Sequence, residues 1–127
     1  MKTSHIAVGV LGEAIAVKYL RGKGYTIVST NWNCHGVGEI DIIATCDEVL
    51  HFIEVKSVTR ENFAEKTTKN PLENVTDAKL RCLRKCAEVY LMSHRNISRV
   101  TFSAVSVVLD LENVTAQCVL YADIPLG

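Results

Sequence analysis

The chain has 127 residues, 48% of them hydrophobic, and its 14 Lys and Arg balance 14 Asp and Glu to a net charge of zero. Such a length predicts one domain, spanning residues 1–127, that buries roughly two-thirds of the surface exposed by the unfolded chain. No run of about 18 apolar residues occurs, so we expect no segment that spans a membrane. Zero net charge gives no support of its own to a nucleic-acid partner.

The N-terminal segment is predicted to be a helix over residues 4–21, which Thr3 or Ser4 can cap and the glycines at 22 and 24 can end. Glu13 and Lys18 interrupt its apolar run, so we interpret it as a helix of the folded domain and not as a signal peptide. Periodicity alone places Glu13 at the edge of the core-facing side, where a glutamate is normally solvated. The core-facing positions are predicted at Val8, Leu11, Ala14, Ile15 and Tyr19 or Lys18.

The cysteines indicate the redox compartment. There are five of them, an odd number with no Cys-x-x-Cys pair, which argues against a disulfide framework. This usage favours a reducing environment, and we expect a cytoplasmic protein. Cys82 and Cys86 lie four residues apart on a predicted helix, but no second pair has the spacing of metal ligands. A zinc site is therefore not expected.

The rest of the chain is predicted to form five strands and a second helix. The strands are predicted at residues 25–32, 38–44, 49–56, 100–111 and 116–122, and the helix at residues 76–93. The polar stretch over residues 57–74 is predicted to be a loop, and Asn74 or Thr76 to cap the second helix. This order of helix, three antiparallel strands, helix and two strands predicts an α/β fold with a mixed central sheet. The core side of the second helix is predicted at Leu80, Leu83, Ala87, Tyr90 and Leu91.

The predicted hairpin of residues 38–56 carries four ionisable side chains within otherwise apolar strands. Glu39 and Asp41 should share one face of the first strand, with Ile40, Ile42 and Ala44 on the other, because side chains alternate along a strand. A turn centred on residues 47 and 48, with a loop of even length, places Asp41 opposite Glu54. The same register places Glu39 opposite Lys56. The four ionisable residues of the hairpin strands are therefore Glu39, Asp41, Glu54 and Lys56.

Two carboxylates that face each other across a strand ladder repel, with their Cβ atoms about 5 Å apart. A protonated carboxyl group or a bound cation relieves this repulsion. Oxygen ligands at such a spacing suit a hard divalent ion such as Mg²⁺ or Mn²⁺. The alternative is a solvated strand face with a cross-strand ion pair between Glu39 and Lys56.

Basic residues concentrate in the middle of the chain. Residues 60–99 contain nine Lys and Arg against five Asp and Glu, so a polyanionic partner could bind at one face. Four of these basic residues occupy the first turns of the second helix, where they oppose the helix dipole at a cost of a few tenths of a kcal/mol each. A solvated helix face is the alternative. The predicted nucleic-acid-binding residues are Arg60, Lys66, Lys69, Lys79 and Arg81.

The pattern of an Asp in the second strand, Glu-x-Lys in the third and a Glu on the first helix resembles the PD-(D/E)xK nuclease superfamily, which has a restriction-endonuclease-like core. More closely, the chain resembles the YraN family of small bacterial proteins, which are described as candidate endonucleases or left uncharacterised. The likeness covers residues 9–91. Its motifs are Gly12-Glu13-Ala14 with Tyr19-Leu20, Gly24-Tyr25, Asn31-Trp32, the Gly-Glu-Ile-Asp-Ile-Ile-Ala run from Gly38, the Phe-Ile-Glu-Val-Lys run from Phe52, and Lys79 with Leu83, Ala87 and Tyr90-Leu91.

The resemblance implies a role for each site residue. Asp41 and Glu54 would bind Mg²⁺ or Mn²⁺ together with the backbone carbonyl of Val55, and Glu13 would add a further carboxylate. Lys56 would orient the attacking water or stabilise charge that develops on the phosphate. The implied activity is hydrolysis of phosphodiester bonds in nucleic acid, DNA foremost, with branched or Holliday-type junctions as the family-level expectation. Related resolvases work as dimers, so the resemblance also implies a homodimer.

The chain departs from the family pattern at four positions, which are Asn33, Val58, Thr101 and Ser103. These positions often carry other residues in the family, arginine among them, so the departures bear on substrate binding more than on metal binding. They favour a second hypothesis, in which the protein is a nucleic-acid-binding or assembly module that keeps a nuclease fold without useful catalysis.

Overall fold

The computed structural model describes residues 4–61 and 77–124. Within these ranges it contains two long helices and five strands, and the strands form one sheet in the order β1-β2-β3-β4-β5. Only β3 and β4 run parallel, so the predicted α/β fold with a mixed sheet is confirmed and is consistent with a nuclease-like core. The elements are α1 His5–Gly22, β1 Thr26–Cys34, β2 Gly38–Cys46, β3 Val49–Thr59, α2 Asp77–Ser93, β4 Val100–Asp110 and β5 Thr115–Tyr121.

The β2–β3 hairpin has the predicted register. Asp47 and Glu48 both have positive φ (51° and 67°) and form a two-residue turn that suits the twist of antiparallel strands. The ladder runs from Cys46 opposite Val49 to Ile42 opposite Ile53, as the turn centre predicts. Beyond the predicted end of β3, residues 57–59 are strand and not loop, because β3 pairs with β4 as far as Thr59.

Each face of the sheet packs against one helix. The α1 side buries Ile42, Ala44, Ile53, Val105 and Val107, and the α2 side buries Ile40, Ile43, Phe52, Leu83 and Tyr90. The predicted core side of α2 is confirmed, since its members are buried or packed against this cluster. Neither helix in residues 4–61 and 77–124 has the length and apolar character that crossing a bilayer requires.

The predicted alternation along β2 is wrong at one point. Ile40 packs on the α2 side while Ile42 packs on the α1 side, although two residues apart should share a face. The neighbouring strand β1 is irregular at the same level, since Asn31 has φ 51°, in the left-handed region. Asn31 lies between Trp32 and Thr30, whose partners on β2 are residues 40 and 42. The irregularity therefore falls at Asp41.

Helix α1 packs through small residues and not through the predicted stripe. Its buried positions are Val8, Gly12, Ala16 and Leu20, whereas Leu11 is 44% exposed. Of the predicted core positions, Val8 is correct, Ala14 is exposed with Leu11, and Ile15 and Tyr19 are half-buried against the core. The reason is close contact between helix and sheet, because a Cβ added at Gly12 would lie 1.7 Å from the Ser57 hydroxyl oxygen.

Ser4 caps α1, as predicted, by accepting a hydrogen bond of 3.1 Å from the backbone N–H of Ala7. The predicted end is also confirmed, because the helix stops at Gly22 and Gly24 takes a positive φ of 96°. The helix is therefore fixed at both ends, and its middle brings Glu13 to the sheet directly after Gly12.

Substitution of Gly12 by alanine should destabilise the protein. We expect a loss of about 1–3 kcal/mol in the free energy of unfolding, because the new methyl group would overpack against Ser57. Gly9→Ala is the matched control, since nothing lies within 4 Å of a Cβ there, and it should gain about 0.5–1 kcal/mol. Urea titrations measure both effects, and equal behaviour of the two variants would contradict the close contact.

Candidate metal centre

Asp41 lies at the point where the β2–β3 ladder opens. The last paired residues are Ile42 and Ile53, and the next position on β2 is Asp41, which is 8% exposed. Its Oδ2 accepts a hydrogen bond of 2.8 Å from the backbone N–H of Val55. The carboxylate thus takes the place of a strand–strand hydrogen bond, which offsets part of the cost of burying it.

From the α1 side, Glu13 approaches Asp41. Carboxylate oxygens of Glu13, Glu39 and Asp41 all lie within 4.8 Å of one another. Burial raises the pKa of Glu13, and the negative charges of Asp41 and Glu39 raise it further, while a hydrogen bond with the Asn31 side chain lowers it. Three like-charged groups at this spacing repel unless a proton or a cation lies between them.

From the α2 side, Glu54 approaches the same aspartate. The pKa of Glu54 is raised to about 8, chiefly by burial and then by the charge of Asp41, although the ammonium of Lys79 lowers it. Lys79 Nζ lies 3.5 Å from Glu54 Oε1, but Oε2 is buried without a hydrogen-bond partner. One oxygen of Glu54 is therefore paired and the other is left for a proton or a cation.

These donors fit a hard divalent cation. Mg²⁺ binds oxygen at about 2.0–2.1 Å in an octahedron, which puts opposite ligands about 4.2 Å apart. The carboxylate oxygens of Glu13, Glu39 and Asp41 lie within 4.8 Å of one another, so small side-chain movements would bring them to the distances that Mg²⁺ requires. The buried Glu54 oxygen without a hydrogen-bond partner leaves a position that a proton or a cation can take. Asp41 is the shared member, because it contacts the carboxylates that approach from either face of the sheet.

The other predicted site residues are placed as follows. Lys56 is exposed two positions after Glu54, and no hydrogen bond or ion pair joins it to Glu39, so the cross-strand pair of the alternative hypothesis is not formed. Val55 contributes its N–H to Asp41, and the role of its carbonyl stays a prediction.

The predicted nucleic-acid contacts are scattered. Arg60 forms an ion pair of 3.1 Å with Asp110, and Lys79 pairs with Glu54, so both charges serve contacts within the protein. Arg81 is exposed on α2. Lys66 and Lys69, most of the predicted loop and the predicted caps of α2 lie outside the described residues.

All four departures from the family pattern lie within strands of the sheet. Thr101 donates a hydrogen bond of 2.8 Å to Asp123, and the Ser103 hydroxyl lies 3.3 Å from Nδ1 of His51. Val58 is half-buried opposite Val108 of β4, and Asn33 is exposed opposite Glu39 of β2. The two departures on β4 therefore support internal hydrogen bonds, and Ser103 lies opposite Ile53, one position before the pair of Glu54 and Ala104.

Sequence reasoning missed two members of the site. The register was predicted to place Glu39 opposite Lys56, and no role in the metal site was predicted for it, but its carboxylate lies beside those of Glu13 and Asp41. Asn31 was not predicted at all, although the Asn31-Trp32 motif was a signal, since Asn accepts left-handed backbone more readily than most residues. Its side chain then hydrogen-bonds Glu13.

Comparison with known proteins places the chain in a family. Residues 12–107 match the model of an uncharacterised protein family, UPF0102. A UPF0102 protein of Clostridium perfringens strain 13 is 43% identical over 72% of this chain and 70% of its own length. Relatives from Renibacterium salmoninarum (38% identical, 82% of this chain and 84% of the relative) and Caldanaerobacter subterraneus (36%, 91% of each) extend the match. The chain therefore belongs to the UPF0102 family, in agreement with the YraN-like motifs.

Proposed function

We propose that the protein is a divalent-metal-dependent nuclease that hydrolyses phosphodiester bonds. One observation carries the proposal, which is that Asp41, at the opening between β2 and β3, lies beside Glu13 and Glu39 on one side and interacts with the buried Glu54 on the other. Two of these carboxyl groups have raised pKa values, and one has a buried oxygen without a partner. Perturbed, convergent acidic groups of this kind are more frequent at functional sites than elsewhere.

The roles of the residues follow from their positions. Asp41 and Glu54 would hold Mg²⁺ or Mn²⁺ with the carbonyl of Val55, and Glu13 would bind the ion or orient water on the α1 side. When bound, such an ion polarises a phosphoryl oxygen and offsets negative charge. Lys56, exposed beside Glu54, would contact the phosphate and stabilise the charge that develops on it.

DNA is the proposed substrate. More specifically, we propose that the protein selects branched DNA junctions by their structure. That part rests on the resemblance to the PD-(D/E)xK superfamily and on the YraN-like motifs. A second candidate is a nucleic-acid-binding or assembly module without useful catalysis. This second candidate is favoured by the zero net charge and by the ion pair that Arg60 forms with Asp110.

Incubation with branched and linear DNA and with RNA, in Mn²⁺ or in EDTA, tests the proposal. We expect cleavage of at least one DNA structure in Mn²⁺ and none in EDTA. Glu54→Gln should abolish it, because the amide cannot supply the anionic ligand. Cleavage that survives this substitution would indicate a contaminating enzyme, and binding without cleavage in Mn²⁺ would favour the second candidate.

A further inference from the structure

A groove with a volume of about 590 Å³ lies between the β1–β2 turn and α2. Gly36 and Val37 of the turn form one wall. The other wall consists of Ala78, Arg81, Cys82, Arg84, Lys85 and Glu88 of α2. Three of these six residues are basic and one is acidic, so the α2 wall is positively charged.

The groove follows from the way α2 packs. Leu83, Cys86 and Tyr90 bury one side of the helix against the sheet. Arg81 and Lys85, four residues apart, share an adjacent side and remain exposed. The turn comes close to the helix without filling this space, because Gly36 has a positive φ of 78° and carries no side chain.

Both walls lead to the carboxylate site. On the turn side, only Gly38 separates Val37 from Glu39, which belongs to the acidic cluster. On the helix side, Ala78 is followed by Lys79, whose Nζ lies 3.5 Å from Glu54 Oε1. Each wall of the groove is therefore within two residues, along the chain, of a residue of the carboxylate site or of its ion-pair partner Lys79.

We propose that this groove binds the sugar-phosphate backbone of a nucleic-acid strand and leads that strand to the carboxylate site. Arginine and lysine suit phosphate, arginine through its planar fork of donors. Contacts to phosphate carry no sequence information, so we expect binding in the groove to be independent of sequence. The delivery of a scissile bond rests on the proposed function, whereas binding in the groove can be measured without cleavage.

The test measures binding of a fluorescent single-stranded DNA, and of RNA of the same sequence, by the full chain in EDTA at several salt concentrations. The groove variant combines Arg81→Glu with Lys85→Glu. The control variant combines Lys18→Glu with Arg95→Glu, which makes the same change in net charge at exposed positions away from the groove. A neutral pair, Arg81→Gln with Lys85→Gln, and thermal melts guard against a folding defect.

For the groove variant we expect binding about tenfold weaker or more, with a slope of log K against log salt less steep by roughly 1.4, since each phosphate contact on a single strand contributes about 0.7. The control should retain most of the affinity. Equal loss in both variants, or unchanged binding in the groove variant, would overturn the proposal. Stronger binding of DNA or of RNA identifies which backbone the groove takes. Binding through the groove without cleavage in Mn²⁺ would overturn the proposed function alone.

Discussion

Replacement of Asp41 by asparagine is expected to remove metal-dependent cleavage while the fold is retained. The amide oxygen of asparagine can still accept the Val55 N–H, so the opening between β2 and β3 keeps its shape. The substitution removes the negative charge of Asp41, which interacts with the carboxylates on both faces of the sheet. We expect the cleavage rate to fall by about 10²- to 10³-fold or more. This is the typical effect of removing one preorganised group that stabilises charge in the transition state.

Asp47→Asn is the matched control for this substitution. Asp47 is exposed in the β2–β3 turn with a φ of 51°, a conformation that asparagine accepts readily. Its cleavage rate should equal that of the wild type. In EDTA at pH 8, Asp41→Asn should also be more stable than the wild type by about 1 kcal/mol, because repulsion with neighbouring carboxylates is relieved. A destabilised variant with normal cleavage would contradict both roles assigned to Asp41.

The metal-free protein is expected to lose stability as pH rises from about 4.5 to 8. Burial raises the pKa of Glu54 from 4.5 to about 8, so across this window the folded state keeps a proton that the unfolded state releases. The stabilisation is fully present below the unfolded pKa and is lost as pH passes through the folded one. Its size is on the order of 5 kcal/mol, since one pKa unit corresponds to about 1.4 kcal/mol. Glu13, whose pKa is also raised by burial, acts in the same direction.

Urea titrations in EDTA across this pH range measure the effect, with Glu54→Gln as the reference. The variant has no ionisable group at this position, so its curve should lack the Glu54 contribution. Burial lowers the pKa of His51, which gives a slope of opposite sign below about pH 6.5 in both proteins. The difference between the two curves therefore isolates Glu54. Parallel curves would contradict the burial of a protonated Glu54.

The site could be predicted from sequence as far as local rules extend. A two-residue turn at Asp47 and Glu48 determines the hairpin register, so the approach of Asp41 to Glu54 followed from the turn centre. Glu13 could not be placed by periodicity, which treated it as a solvated edge residue. Its position needed the family motif that begins at Gly12.

What sequence reasoning could not supply depends on contacts between distant segments. The face of α1 was misplaced because Gly12 packs against Ser57, a residue 45 positions away in the chain, and helical periodicity carries no information about such a neighbour. The alternation along β2 failed at Asp41, at the level where the backbone of Asn31 on the neighbouring strand leaves the extended region. Lys79 was predicted to contact nucleic acid, and its ion pair with Glu54 depends on how α2 lies on the sheet.

Titration calorimetry with Mn²⁺ at pH 8 tests the central claim most directly, which is that the carboxylates of Glu13, Asp41 and Glu54 share one divalent cation. The wild type should bind one ion per chain at this site, and proton release should accompany binding, because Glu54 must ionise to become a ligand. Asp41→Asn should lose this binding. Absence of Mn²⁺ binding by the wild type, or equal binding by Asp41→Asn, would contradict the account.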